Sequence, residues 1–231
     1  MHPTALNWGE RFFAAYTQPG TKLVLDIGAQ DVNGSLKSVC PPSLEYVGVD
    51  FAKGKGVDVV LDDPYKMPFA DNHADMIVCS SVFEHSEMFW LLFVEVLRIL
   101  KPDGVLFLSV PANGLFHRYP VDAWRFYPDS GRALVTWARR CGLDPAMLES
   151  FTGDQGGGGG EEGTWNDYVA VYLKDRRFAA RYPRRIIDTA TNFTNGLRHG
   201  SDEVAKPADY PEDMAKIQVI GQLARGLLRL K

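Results

Sequence analysis

Five short apolar runs constrain this chain more than any other feature: Leu23–Ile27, Tyr46–Val49, Val57–Leu61, Met76–Cys79 and Val105–Ser109. Each is apolar on both faces rather than alternating, the pattern of parallel strands covered by helices above and below. Between the fourth and fifth runs, Phe89, Phe93, Val96, Leu97 and Leu100 repeat at helical spacing. Lys101-Pro102-Asp103-Gly104 then ends that helix and turns the chain into the next strand. Alternating β and α units of this kind predict an α/β fold built on a doubly wound, mostly parallel sheet.

Further along, a helix reads from about Ser130 to Cys141, with Asp129 or Ser130 as its cap and Gly142 just past its end. Gly153–Gly163 holds five consecutive glycines and reads as a mobile loop, closing over a site or simply linking elements. Tyr168–Leu173 alternates as a strand, expected antiparallel and at or near a sheet edge. From Lys174 the character changes: basic pairs, an Asn195-Gly196 turn signal and a proline-bounded linker precede Met214, Ile217, Ile220, Ala224, Leu227 and Leu228 at helical spacing. The expected organisation is a main domain over 1–174 and a helical C-terminal extension over 175–231. The extension's apolar stripe would lie on its own core or on a second copy in a homodimer.

Composition narrows the partners. Twenty-five Lys and Arg against 29 Asp and Glu give a net charge of −4, which offers no electrostatic reason to expect nucleic acid. No stretch approaches the about 18 to 20 apolar residues of a membrane span, and the amino terminus lacks the apolar run of a leader peptide. Three dispersed cysteines, Cys40, Cys79 and Cys141, form neither a disulfide framework nor a zinc quartet and suit a reducing cytoplasm.

The chemistry begins at the first strand, which runs through Asp26 into Gly28, a polar loop and Gly34 ahead of an expected helix. Glycine there lets a ligand approach the backbone. The second strand ends at Asp50, 22 positions after Gly28, where a carboxylate accepts hydrogen bonds from a ribose diol. Together the two features favour a nucleoside-containing ligand. A dinucleotide is disfavoured, because the loop Gly28-Ala29-Gln30-Asp31 lacks the G-x-G-x-x-G pattern and carries a carboxylate that would repel a pyrophosphate and suit an ammonium.

With these residues in place, the chain resembles the class I S-adenosylmethionine-dependent methyltransferases, particularly the group that includes small-molecule and sugar methyltransferases. The resemblance covers about 22–173 and rests on five segments in order: VLDIGAQDVNG, YVGVD, LDDPYKMPFADNHADMIVCSSVFEH, LRILKPDGVLFLSVP and HRYPVDAWRFYP. It implies S-adenosylmethionine as cofactor. Asp26 and Gly28 would shape the pocket for its methionine part, Asp50 would hold the ribose, Asp62 or Asp63 would sit beside the adenine, and the Ser80-Ser81 backbone would approach the sulfonium. The chain departs from the family pattern at Gln30, where a second glycine is usual.

Methyl transfer to a hydroxyl gains from a base, usually histidine. His85 and His117 both follow strands at the end where open α/β sheets bind ligands. The segment from His117 to Pro128 mixes aromatic, charged and proline residues. Within it Arg118, Tyr119, Asp122 and Arg125 are expected to face the acceptor, and Trp124 and Phe126 to be structural. Glu84, His85, His117 and Asp122 form a candidate set for a divalent metal such as Mg2+. The expected function is O-methylation of a saccharide or another small hydroxylated metabolite. The alternatives are N- or C-methylation and, in another class, a binding or assembly protein that keeps the fold without transfer.

Overall fold

The computed structural model describes residues 3–155, 165–209 and 212–227. Most of the Gly153–Gly163 loop, and Leu228 of the C-terminal stripe, lie outside the described residues. Eight strands form one sheet: β1 (Leu23–Ile27), β2 (Glu45–Asp50), β3 (Val59–Val60), β4 (Ala74–Ser80), β5 (Leu100–Pro111), β6 (Ala146–Gly153), β7 (Asp167–Leu173) and β8 (Phe193–Arg198). Their order is β3-β2-β1-β4-β5-β7-β6-β8. The first five are parallel, whereas β7 runs antiparallel to both β5 and β6. β7 is antiparallel as expected, and it is an interior strand paired on both sides, with β6 and β8 between it and the sheet edge. Its fully buried run from Tyr168 to Leu173 is what an interior position requires.

Alternate residues of each strand feed two separate cores. Leu25, Ile77, Leu106 and Tyr172 face one layer with the helices α2 (Phe89–Ile99) and α3 (Ser130–Arg140). Val24, Val78, Phe107 and Val171 face the other, with α1 (Pro3–Tyr16). On the first side Phe93 meets Tyr172 edge-on at 4.8 Å. On the second, Trp8 meets Phe151 at 4.8 Å and Phe12 meets Phe107 at 5.0 Å. Each such ring removed from water contributes about 1.5–3 kcal/mol, so α1, unread in the sequence, anchors a whole layer.

That layer has an unusual supply. No α-helix follows β1; the segment offers only a short 3-10 turn at Leu36–Val39 before Pro41 and Pro42. The helix start expected after Gly34 is absent, and α1 from upstream covers the space instead.

Two further strands escaped the sequence reading. β6 carries Glu149, 0% exposed yet fully bonded: it accepts from the Tyr16 hydroxyl at 2.6 Å and from the Ile186 and Ile187 amides at 2.7 and 3.1 Å. β8 then pairs with β6. The boundary expected at 174/175 therefore does not separate a unit, since residues 193–198 add a strand to the same sheet. Asn195-Gly196 lies within that strand rather than at a hairpin turn, Asn195 adopting a left-handed φ of 52°. α4 (Glu212–Ala224) follows, linked by Lys216 to Gln155 and leaving Ile217 and Ile220 exposed.

Candidate active site

At the carboxyl ends of β1, β2 and β4 and beside the segment after β5, the chain leaves a cavity of about 310 Å3, at the small end of the range for ligand sites. Gly28, Gln30, Asp50, Phe51, Leu61, Pro64, Ser80, Ser81, His85, His117, Arg118 and Tyr119 are among the residues lining it.

Gly28 ends β1 in a left-handed conformation, φ 82°, with a Cβ position that would fall 2.1 Å from Val82 Cγ2. Only glycine turns the chain here without displacing the loop after β4. Asp50 closes β2 and is fixed from two sides: its carboxylate accepts from the Gln30 amide at 3.2 Å and the Ala52 amide at 3.0 Å. Buried but lining the cavity, it has acceptor capacity left for hydroxyls. Ser80 presents a buried hydroxyl with no protein partner, an atom a ligand would satisfy.

Asp26 sits deeper. It is 3% exposed, accepts from the Tyr46 hydroxyl at 2.7 Å, and does not line the cavity. Burial pushes its carboxyl up to about 7, against the Tyr46 bond and with help from nearby Asp50. Asp62 and Asp63 are exposed and lie outside the cavity lining, Asp63 capping the Tyr65 amide at 2.8 Å. The cavity lining next to them comes from Leu61 and Pro64. Asp31, read as a lure for an ammonium, pairs with Lys55 at 2.6 Å and accepts from the Gly34 amide. Gln30 uses its side chain to accept from the Tyr119 hydroxyl, tying the first loop to the loop after β5.

The two histidines meet. Their rings stand edge to face at 4.8 Å, and His117 makes a second edge contact with Trp165 at 4.8 Å. His85 Nδ1 donates to the Val121 carbonyl at 2.5 Å, which leaves Nε2 as the lone-pair nitrogen. Burial lowers the His85 pKa, opposed by that carbonyl and reinforced by His117. Beneath them Glu84 is 1% exposed, with Oε1 3.7 Å from His85 Nε2 and Oε2 lacking a partner; burial raises its carboxyl to about 8.

The loop residues divide differently from the sequence expectation. Arg118 and Tyr119 line the cavity. Asp122 and Arg125 do not: the Arg125 guanidinium grips both Asp122 oxygens at 2.5 and 2.8 Å and donates to the Leu115 carbonyl at 2.7 Å. Asp122 also accepts from the His117 amide at 2.7 Å, and Arg125 holds its carboxyl down near 2. They brace the loop under His117 and lie outside the cavity lining, and Asp122 is not among the donors that converge with Glu84, His85 and His117. Trp165, which the sequence reading did not single out, completes the brace by lying under both Arg125 and His117.

A parallel sheet with a reversed strand beside β5, a glycine turn after β1 and a carboxylate at the end of β2 frame a cavity at the strand ends of an α/β fold. The comparisons make the class particular. Residues 27–108 match the family model described as a methyltransferase domain. The chain is similar to an uncharacterized methyltransferase of Mycobacterium sp. (strain KMS), 32% identical over 105 residues, 42% of this chain and 41% of that protein. It is also similar to the ubiquinone/menaquinone biosynthesis C-methyltransferase UbiE of Geobacter sulfurreducens, 30% identical over 125 residues, 45% of this chain and 47% of that protein. The chain thus spans less than half the length of these curated relatives. In fold it resembles a SAM-dependent methyltransferase from Archaeoglobus fulgidus, TM-score 0.54 at 18% identity, over 74% of this chain and 93% of that one. Residues 27–108 are thus those of a methyltransferase domain, on a fold shared with S-adenosylmethionine-dependent methyltransferases.

Proposed function

We propose that this chain transfers a methyl group from S-adenosylmethionine to a hydroxyl of a saccharide or similar small hydroxylated metabolite. The observation that carries the reading is the meeting of His85 and His117 at 4.8 Å beside the cavity that Gly28, Asp50 and Ser80 shape. Asp50 would hold the ribose hydroxyls, Gly28 and Ser80 the methionine end, and Asp26 beneath them the local charge. When bound, the cofactor supplies a methyl group on a positively charged sulfur. Transfer replaces the hydroxyl proton of the acceptor with methyl, and the sulfur keeps the bond pair. The protein's share is alignment and help in losing that proton, worth about 10²- to 10⁴-fold. Nitrogen or carbon acceptors have less use for the histidine pair, which favours oxygen. Arg118 and the Tyr119 ring offer the acceptor a charge and a stacking face at the mouth.

The test has two parts. Calorimetric titration should show S-adenosylmethionine binding that Asp50→Ala weakens by about 1–3 kcal/mol, the scale of lost bonds to a charged group. His117→Ala should keep that binding and lose most turnover on a panel of sugar acceptors; unchanged turnover would remove the histidines from the chemistry. Absence of cofactor binding would leave the competing reading, a binding protein on a methyltransferase fold.

The exposed Ile217 and Ile220 of α4, at 60% and 63%, support contact with a second copy. Light scattering on the chain ended at Asp209, which spares β8, should then report a monomer; an unchanged mass would remove α4 from the interface.

A further inference from the structure

We propose that Glu84, His85 and His117 form a binding site for one transition-metal dication, which holds the acceptor through its oxygens. The inference rests on the O-methylation reading for the identity of the bound hydroxyl, but not for the site itself.

The three side chains each offer a donor atom within 4.8 Å of the other two. They arrive from two separate places, the turn after β4 and the loop after β5, and converge on the cavity that His85 and His117 line. Binding would draw the donors in to about 3–3.5 Å of each other, the spacing set by metal–ligand bonds of about 2.0–2.2 Å. His117 stands on a loop and is 40% exposed, so it has room for that adjustment.

Two independent observations point to an ion. The first is Glu84: a carboxylate buried to 1% exposure, with Oε2 bonded to nothing and no Lys or Arg ion pair among the described residues. Such a buried carboxyl either keeps its proton or is compensated by a cation, and a metal would bind in place of that proton. The second is the outer hydrogen bonding of the two rings. His85 Nδ1 is fixed by the Val121 carbonyl at 2.5 Å, and His117 Nδ1 lies 3.3 Å from the Leu115 carbonyl and 3.5 Å from Asp122 Oδ2. A carbonyl or carboxylate behind each imidazole sets the tautomer and raises ligand basicity, as in metal-bound histidines generally. Asp122, gripped by Arg125 on both oxygens, belongs to this outer layer.

The donor set decides the metal class. Two imidazole nitrogens and one carboxylate oxygen suit Zn2+, Co2+, Fe2+ or Mn2+, whereas Mg2+ prefers an all-oxygen shell. The Mg2+ expected from the sequence is therefore replaced by a softer ion. Three protein ligands leave open positions toward the cavity, which fits an acceptor that presents two adjacent oxygens, such as a vicinal diol or a hydroxy acid. A ligated hydroxyl gives up its proton to solvent far more readily than a free one.

The experiment is Co2+ and Zn2+ titration of untagged, chelator-treated protein, read by calorimetry and by the visible absorption of bound Co2+. One ion per chain is expected, with Mg2+ binding much more weakly. His85→Ala and His117→Ala should each weaken Co2+ by more than about 100-fold, beyond the about 10–100-fold that loss of an outer partner costs. Glu84→Gln, which keeps the buried volume, should do the same, while His73→Ala and His199→Ala change nothing. Because His117 is on the loop, its variant keeps the test valid if the buried Glu84 variant fails to fold. Absence of one-to-one uptake, or a His117→Ala titration matching wild type, would overturn the proposal. If Co2+ does not bind and His117→Ala still abolishes transfer, the metal site falls and the O-methylation reading stands. Binding on these residues with no transfer to any hydroxylated acceptor would leave the metal site and remove its proposed acceptor.

Discussion

Asp26→Asn should stabilise the protein at neutral and alkaline pH while leaving it nearly unchanged in acid. Folding takes Asp26 to 3% exposure and pushes its carboxyl from 3.8 up to about 7, a change worth about 4 kcal/mol. Well below pH 3.8, both states hold the proton and no penalty operates. Between about pH 4 and 7 the unfolded chain loses the proton while the folded chain keeps it, so stability falls as pH rises. Above that window both are ionised and the full cost of the buried charge is present. Asparagine keeps the size and an oxygen to accept from Tyr46, and it removes the charge. Urea unfolding of both proteins at pH 4.5, 6, 7 and 8 should give a stability difference that grows with pH toward about 4 kcal/mol at most. Other titrating groups cancel in that difference. A gap that is flat with pH, or that widens toward acid, would refute the reasoning. The role proposed for Asp26 adds a check: a cationic ligand selects the ionised form, so saturating S-adenosylmethionine should narrow the gap at pH 8.

Arg125→Met should leave the Asp122 carboxylate, 1% exposed at its side chain, without its fork. Loss of one partner of a buried pair costs about 3 kcal/mol or more, measured by urea unfolding, and loss below about 1 kcal/mol would show that the strut carries little. Gly28→Ala places a methyl 2.1 Å from Val82 at φ 82°. It should cost about 1–3 kcal/mol of stability and abolish calorimetric cofactor binding; a fold and an affinity like wild type would show that the turn is not tight.

Strands β1, β4 and β5 were legible because burial on both faces forces an unbroken apolar run, a signal carried within each segment, whereas β3, with Val60 exposed, shortens to Val59–Val60. β6 was not legible, because Glu149 and Ser150 interrupt it, and their burial depends on contacts far along the chain: Tyr16, 133 positions upstream of Glu149, and Ile186, 37 downstream. α1 and β8 were missed for related reasons, since α1 packs on Phe107 and Phe151 and β8 pairs with β6, partners that the fold rather than the local run supplies. The same distinction governs the site. Gly28 and Asp50 announce themselves locally, through a turn and a strand end. His85 and His117, 32 positions apart, meet in the structure because β4 and β5 are neighbours and topology brings their carboxyl ends together. Asp122 and Arg125 were placed on the acceptor, and that assignment failed for a physical reason. A charged loop residue reads identically whether it waits for a ligand or supports the loop, and only its partners decide. Here the carboxylate accepts two guanidinium bonds and the His117 amide, and the guanidinium also binds the Leu115 carbonyl. One of those four bonds falls on the His117 amide and the other three tie Arg125 to Asp122 and Leu115, so all four are spent within the loop. The loop's densest charge therefore serves to aim one imidazole at the cavity.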